Sequence, residues 1–197
     1  MELILIRHGT TQGNLERRFI GRTDLPLLPA GEDLARRVGA SLPPVDHVYH
    51  SPMLRCVQTA RLLWPGSGMT AVEDLRETDF GPFEGKNHEE LKDDPLYQRW
   101  ITAPDPGAVP VGESAQAVAR RVSCGLRALL EDARSRGYGR VGVVSHGGAL
   151  MALMACFGRP ERPALYDWSC PNCGGWRAAV EEPLALRVLE AVGGERP

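Results

Sequence analysis

The chain has 197 residues, 43% of them hydrophobic and 24% charged, with a formal net charge of −2. That length fits one domain able to bury a core without disulfides or metals, and the near-neutral charge argues against a nucleic-acid partner that needs a basic face. No stretch approaches the roughly 20 apolar residues of a membrane span, and the apolar N-terminal run stops at Arg7 without the basic start of a signal peptide, so the expectation is a cytoplasmic protein with neither a membrane nor a nucleic-acid partner.

Leu3 to Ile6 is a short apolar run that reads as a buried strand. It ends on Arg7 and His8, and a long loop follows. Leu34, Val38 and Leu42 then recur at a four-residue spacing that predicts a helix. Val45 to Tyr49 is a second buried strand, followed by the helical pattern SPMLRCVQTARLL, in which Ser51 suits an N-cap and Pro52 the first helical position. Between Gly81 and Gly112 the chain is rich in proline and glycine, as in APDPGAVPVG. That segment is too long for a plain turn and reads as a cover over something. A helix is expected from about Glu113 to Arg136, with Val118, Val122, Leu126 and Leu129 as its apolar stripe. Val141 to Val144 is the third buried strand, and Leu150, Leu153, Met154 and Phe157 keep one face of the helix after it. The tail WRAAVEEPLALRVLEAV alternates around a turn and predicts a hairpin at one sheet edge. Strands alternating with helices define an α/β fold with a largely parallel sheet.

Five cysteines is an odd count, and they read as reduced thiols. Cys170 and Cys173 form a single C-x-x-C. A zinc site would want two further ligands nearby, and a redox pair would usually open a helix, whereas glycines and a tryptophan follow here. The motif is therefore read as structural.

In an open α/β sheet, ligands bind outside the carboxyl ends of the strands. Arg7 and His8 follow the first strand, Ser51 and Arg55 the second, and His146 and Gly147 the third. Distant segments thus bring two arginines and two histidines to one edge. Arginine presents a planar fork of donors that matches phosphate oxygens, and helix N-termini add free N–H groups and a favourable dipole, so the cluster reads as an anion site. A neutral imidazole can also attack, provided that its other nitrogen is held by an acceptor such as a backbone carbonyl. Glu77 and Glu84 are both candidate proton carriers that the residues alone do not rank. His47, His50 and His88 read as structural or surface histidines, and Arg18 lies near the phosphate end.

Five segments, in order, resemble motifs of the histidine phosphatases, the phosphoglycerate mutase-like superfamily: LIRHGTTQGN, SPMLRCVQTA, LRETDFGPFEG, VPVGES and VVSHGG. The resemblance spans nearly the whole chain and implies a single domain over residues 1–197, a three-layer sandwich with helices on both faces of the sheet and the cover inserted at about 81–112. It implies that His8 attacks phosphorus, that Arg7, Arg55 and His146 hold the non-bridging oxygens, and that Glu77 carries the proton. Asn14 and the Gly147 N–H would add donors, and the loop holding Gly21 and Thr23 would meet the rest of the substrate. No metal or cofactor is expected; the partner would be a small-molecule phosphomonoester and the assembly a monomer or homodimer. The mutase form of the first motif, R-H-G-x-S-x-W-N, differs here, with Thr11 for serine and Gly13 for tryptophan. That difference and the short cover favour hydrolysis over mutase exchange. Chain length, GRTDLPLLPAGE and the tail resemble the α-ribazole phosphatase branch, with broad sugar-phosphate hydrolysis or phosphoglycerate mutase exchange as alternatives. A silent phosphate-binding module would have no need of nucleophile, acid and ligands together.

Overall fold

The structure, a computed structural model, describes residues 1–103 and 112–193. In chain order its elements are β1 (Glu2–Arg7), α1 (Gln12–Leu15), α2 (Pro29–Ser41), β2 (His47–His50), α3 (Leu54–Leu63), β3 (Met69–Ala71), α4 (His88–Leu91), α5 (Pro95–Thr102), α6 (Ala115–Ser135), β4 (Arg140–Ser145), α7 (Gly147–Phe157), β5 (Gly158–Arg159), β6 (Gly174–Glu181) and β7 (Ala185–Gly193). The strands form one sheet in the order β3-β2-β4-β1-β6-β7-β5. β1, β4, β2 and β3 run parallel, β6 is antiparallel to both β1 and β7, and β5 is parallel to β7. This is the expected α/β architecture with a mostly parallel sheet.

Its central strands are apolar throughout because both faces are covered. Leu3 and Leu5 of β1 join Val141 and Val143 of β4 on one face, against Val118, Val122, Leu126 and Leu129 of α6 and Leu150 and Leu153 of α7. Ile4 and Ile6 join Val48 and Val144 on the other, against Ala35 and Val38 of α2 and Cys56, Ala60 and Leu63 of α3. Gly142 leaves room for Trp64 on that second face, where a Cβ would stand 2.7 Å from the indole ring.

Two expectations change. Ser51 is not a helix cap: α3 starts at Leu54 with Met53 as its N-cap. The Ser51 hydroxyl is occupied instead by the His146 ring, 2.8 Å away. The tail does form the β6–β7 hairpin, but the short strand β5 lies outside it as the true edge. The strands β3 and β5 and the helix α1 are short, from two to four residues, and offer no periodicity to read. Of the expected cover, the described part holds a 3-10 turn at Gly81–Phe83 followed by α4 and α5. Its Phe83, Leu91 and Tyr97 are buried in a third apolar cluster, with Phe19, Phe80 and Trp100 half-buried against them. Residues 104–111 of that segment, including part of VPVGES, lie outside the described residues.

Candidate active site

The sheet order determines which residues meet. β4 lies between β2 and β1, so the residues that leave their carboxyl ends stand side by side. The ladder runs on past the strands: the His8 N–H donates to the Ser145 carbonyl and the Ser51 N–H to the Val144 carbonyl, each at 2.9 Å. His146 therefore falls between Ser51 and His8, and the two imidazoles meet edge-on with centroids 5.2 Å apart.

His8 is 5% exposed and His146 fully buried. The His8 Nδ1–H donates to the Gly9 carbonyl at 2.7 Å, which leaves Nε2 unprotonated and without a protein partner among the described residues. The Gly9 N–H is held in turn by Thr59 Oγ1 at 2.9 Å. Burial, then the charges of Arg55 and Arg7, push the His8 pKa well below 6.5. His146 is lowered too, first by burial, then by His8 and Arg55. Its ring, however, is fully engaged. Arg55 Nε–H donates to Nδ1 at 3.1 Å, and Nε2 meets Ser51 Oγ at 2.8 Å.

A cavity of about 190 Å³ opens against His8, lined among others by Arg7, Asn14, Arg55, Glu77, Gly147 and Phe80. Arg7 Nη1 donates to the Cys170 carbonyl at 2.9 Å, while its buried Nε has no protein partner. An orphaned guanidinium N–H in a buried pocket marks a place for an acceptor. Arg55 is 1% exposed. It donates to the carbonyls of Thr23 at 2.8 Å, Gly21 at 3.0 Å and Ile20 at 3.4 Å besides His146. Of its five N–H donors, one on Nη1 remains. The Asn14 Oδ1 accepts from the Thr11 N–H, the Thr11 hydroxyl and Asn172 Nδ2, so its own NH₂ is left for the cavity. The site is donor-rich and suits a small tetrahedral anion.

Glu77 reaches this pocket from the segment after β3. Its Oε2 accepts from the Gly148 N–H at 3.0 Å, and its Oε1 from Ala149 at 3.1 Å and Thr78 at 2.8 Å. The carboxylate thereby takes the N–H groups at the start of α7. A Cβ on Gly148 would stand 2.5 Å from Glu77 Oε1, so glycine there is what lets the carboxylate approach. Behind it, Arg121 donates to the carbonyls of Asp74 at 2.8 Å, Arg76 at 3.0 Å and Glu77 at 3.4 Å, and pairs with Glu113. Glu84, the other candidate, has a different task. It accepts from the backbone N–H groups of Gly21 and Thr23 and from the Thr23 hydroxyl, at 2.8 to 3.0 Å. It pins the loop that Arg55 holds from the opposite side.

Arg7, His8, Arg55, Glu77, Asn14 and Gly147 thus share one pocket wall. Gly21 and Thr23 lie outside it; Gly21 lines an adjoining cavity of about 630 Å³ that shares Glu77. His146 touches the pocket through Arg55. Arg18 lies at the pocket rim but is paired with Glu16 and Glu90. His88 is bonded to the Tyr97 hydroxyl at 2.9 Å, and His50 Nδ1 to the Ser51 carbonyl at 2.8 Å. Sequence reasoning missed Ser51 as a partner of His146, Thr59 behind Gly9, and Asn172. Ser51 and Thr59 belong to the segment SPMLRCVQTA, four residues to either side of Arg55, but that spacing does not name their partners, and Asn172 belongs to no quoted motif. The role of each is defined by what stands across from it.

Residues 3–182 match the model of the histidine phosphatase superfamily, branch 1, and the chain belongs to that superfamily. It is 34% identical over 163 residues to "Probable phosphoglycerate mutase GpmB" of Enterobacter sp. (strain 638), covering 79% of this chain and 74% of that one. The solved alpha-ribazole phosphatase from Shigella flexneri superposes with a TM-score of 0.82 at 28% identity, over the full length of both chains. A phosphoserine phosphatase from Entamoeba histolytica, solved in complex with 3-phosphoglyceric acid, superposes with a TM-score of 0.80 at 25% identity over 98% of each chain.

Proposed function

We propose that this chain hydrolyses phosphomonoesters through a phosphohistidine at His8, with α-ribazole 5′-phosphate as the substrate. The observation that carries the chemistry is the His8 ring: Nδ1 is tied to the Gly9 carbonyl and Nε2 stands free at a donor-lined cavity. The tie fixes the tautomer that attacks, and the depressed pKa keeps the ring neutral near pH 7.

In the first step Nε2 attacks phosphorus, the P–O bond to the leaving group breaks, and protonated Glu77 delivers its proton to the departing oxygen. In the second, water attacks phosphorus, Glu77 takes up a proton from it, and the P–N bond breaks to release phosphate and neutral His8. Arg7 Nε, the remaining N–H of Arg55, the Asn14 amide and the Gly147 N–H hold the non-bridging oxygens as charge shifts. His146 keeps Arg55 in line; direct contact with phosphate would require its Nε2–H to leave Ser51. The non-phosphate part falls to the loop of Gly21 and Thr23 and to the described part of the segment that begins at Gly81.

Likeness over full length to the alpha-ribazole phosphatase from Shigella flexneri supports the choice of substrate. The names of the other relatives keep 3-phosphoglycerate and phosphoserine as competitors. The test is hydrolysis by the purified protein, with chelator present, of α-ribazole 5′-phosphate, 3-phosphoglycerate, phosphoserine and sugar phosphates side by side. We expect kcat/KM to be highest for α-ribazole 5′-phosphate. Equal or higher values for another ester would overturn the substrate, and exchange that depends on a bisphosphate primer would overturn hydrolysis.

A further inference from the structure

The tetrapeptide Cys170-Pro171-Asn172-Cys173 packs directly on the end of β1. Its sulfurs are poor candidates for chemistry: burial pushes the Cys170 thiol up to about 11 and the Cys173 thiol to about 12, and among the described residues no group of three or more His, Cys, Asp or Glu could hold a metal. The amide groups of the turn are what meet the site. Arg7 Nη1 donates to the Cys170 carbonyl at 2.9 Å. The Cys173 N–H donates to the carbonyls of Arg7 at 3.0 Å and His8 at 3.3 Å. Asn172 Nδ2 donates to the His8 carbonyl at 2.9 Å, the Gly9 carbonyl at 3.3 Å and Asn14 Oδ1 at 3.3 Å.

Two of those three acceptors control groups at the pocket. The Gly9 carbonyl fixes the His8 ring, and Asn14 Oδ1, once occupied, leaves the Asn14 NH₂ to the cavity. Thr59 anchors the Gly9 N–H from the other side, so the Gly9 peptide is held between α3 and the turn before β6. We propose that Asn172 is a positioning residue for both groups: its amide sets the carbonyl that orients the His8 imidazole and turns the Asn14 amide toward the bound phosphate. Its donors serve acceptors in the protein, so its effect on rate passes through His8 and Asn14. The kinetic part rests on the reading of His8 as nucleophile; the part about ring orientation does not.

Asn172→Ala removes the donors, and Asn172→Asp turns an oxygen against three acceptor oxygens in the same shape. Asn172→Ser is made alongside as a shorter donor, and decides the matter if the alanine variant does not fold. We expect phosphohistidine formation from an aryl phosphate, followed by rapid quench, to slow by about 10- to 100-fold in Asn172→Ala, the scale of a small misplacement of reacting groups. KM should change by no more than about threefold, and Asn172→Asp should be slower still. Long-range ¹H–¹⁵N spectra of His8 should show the Nδ1–H tautomer in the wild type and a mixture with Nε2–H in the alanine variant. An unchanged phosphorylation rate or an unchanged ring spectrum in the folded variant overturns the proposal. Should the wild type form no phosphohistidine, the functional reading fails, and the ring spectra alone then decide the role of Asn172.

Discussion

The carboxyl ends of β1 and β4 carry the same local arrangement, a buried histidine followed by a glycine, and the two rings lie 5.2 Å apart with pKa values lowered by the same burial and the same arginines. They differ in what holds them. His8 gives one nitrogen to a backbone carbonyl and keeps the other open to the cavity. His146 gives both, one to Arg55 and one to Ser51. Burial alone therefore makes a neutral histidine; a one-sided hydrogen bond makes one that can attack. The strands beyond them differ. β4 has the parallel β2 on its far side, whose carboxyl end leads into Ser51 and Arg55, whereas β1 has the antiparallel β6, whose preceding turn meets backbone carbonyls through Asn172. That is why the second ring finds a second partner.

Substitution at the two rings separates them most strongly. His8→Ala should remove acid-labile phosphoprotein and lower kcat by about 10³-fold or more, the scale of losing a nucleophile. His146→Ala should still form phosphoprotein, with kcat/KM down by about 10²-fold through misalignment of Arg55. Phosphoprotein trapped in His8→Ala but not in His146→Ala would reverse the assignment. Glu77→Gln should cost about 10²- to 10⁴-fold on alkyl phosphates and less on aryl phosphates, whose leaving groups need less proton donation. Equal losses on both would remove Glu77 from proton transfer.

The shared property of the rings is tested by pH. Each stays neutral in the folded protein where the unfolded chain, at about 6.5, takes up a proton. The unfolded state then binds more protons, so stability is complete above pH 6.5 and is lost as pH falls toward the folded-state pKa values. The slope is about 1.4 kcal/mol per pH unit for each ring. Urea unfolding between pH 8 and pH 5 should show this loss, reduced to one ring in His8→Ala. A flat profile would mean that the rings are charged when folded. The acid limb of kcat/KM that reports His8 should likewise lie well below pH 6.5.

The smallest effect concerns the two glutamates. Glu84→Gln keeps part of its contact with the loop at Gly21 and Thr23 and gives up a charge-assisted bond, which is worth about tenfold in kcat/KM. The loss should fall on KM, with kcat nearly unchanged. A fall in kcat that depends on the leaving group would move Glu84 into the proton-transfer role and blur its contrast with Glu77.

Much of this arrangement is legible along the chain. An apolar run without alternation marks a strand covered on both faces, and three such runs followed by Arg7-His8, Ser51 to Arg55 and His146-Gly147 place an anion site at their ends. This works because each signal is carried by neighbours in sequence: a strand, its end, and the polar residues that leave it. Glu77 and Glu84 share one segment, and nothing in its spacing ranks them. Only the tertiary structure divides their roles, since Glu77 meets the start of α7 and Glu84 meets the loop after α1. The same holds for Ser51, which its local sequence marks as a cap but which the neighbouring strand takes as a partner for His146, and for Asn172, which lies 164 residues from the His8 carbonyl it bonds. The sequence by itself determined which elements form and which side chains they carry to the sheet edge, because strand and helix signals are local. The folded chain decided the hydrogen-bond partners of those side chains, because strand order brings distant segments together and hydrogen bonds depend on that contact.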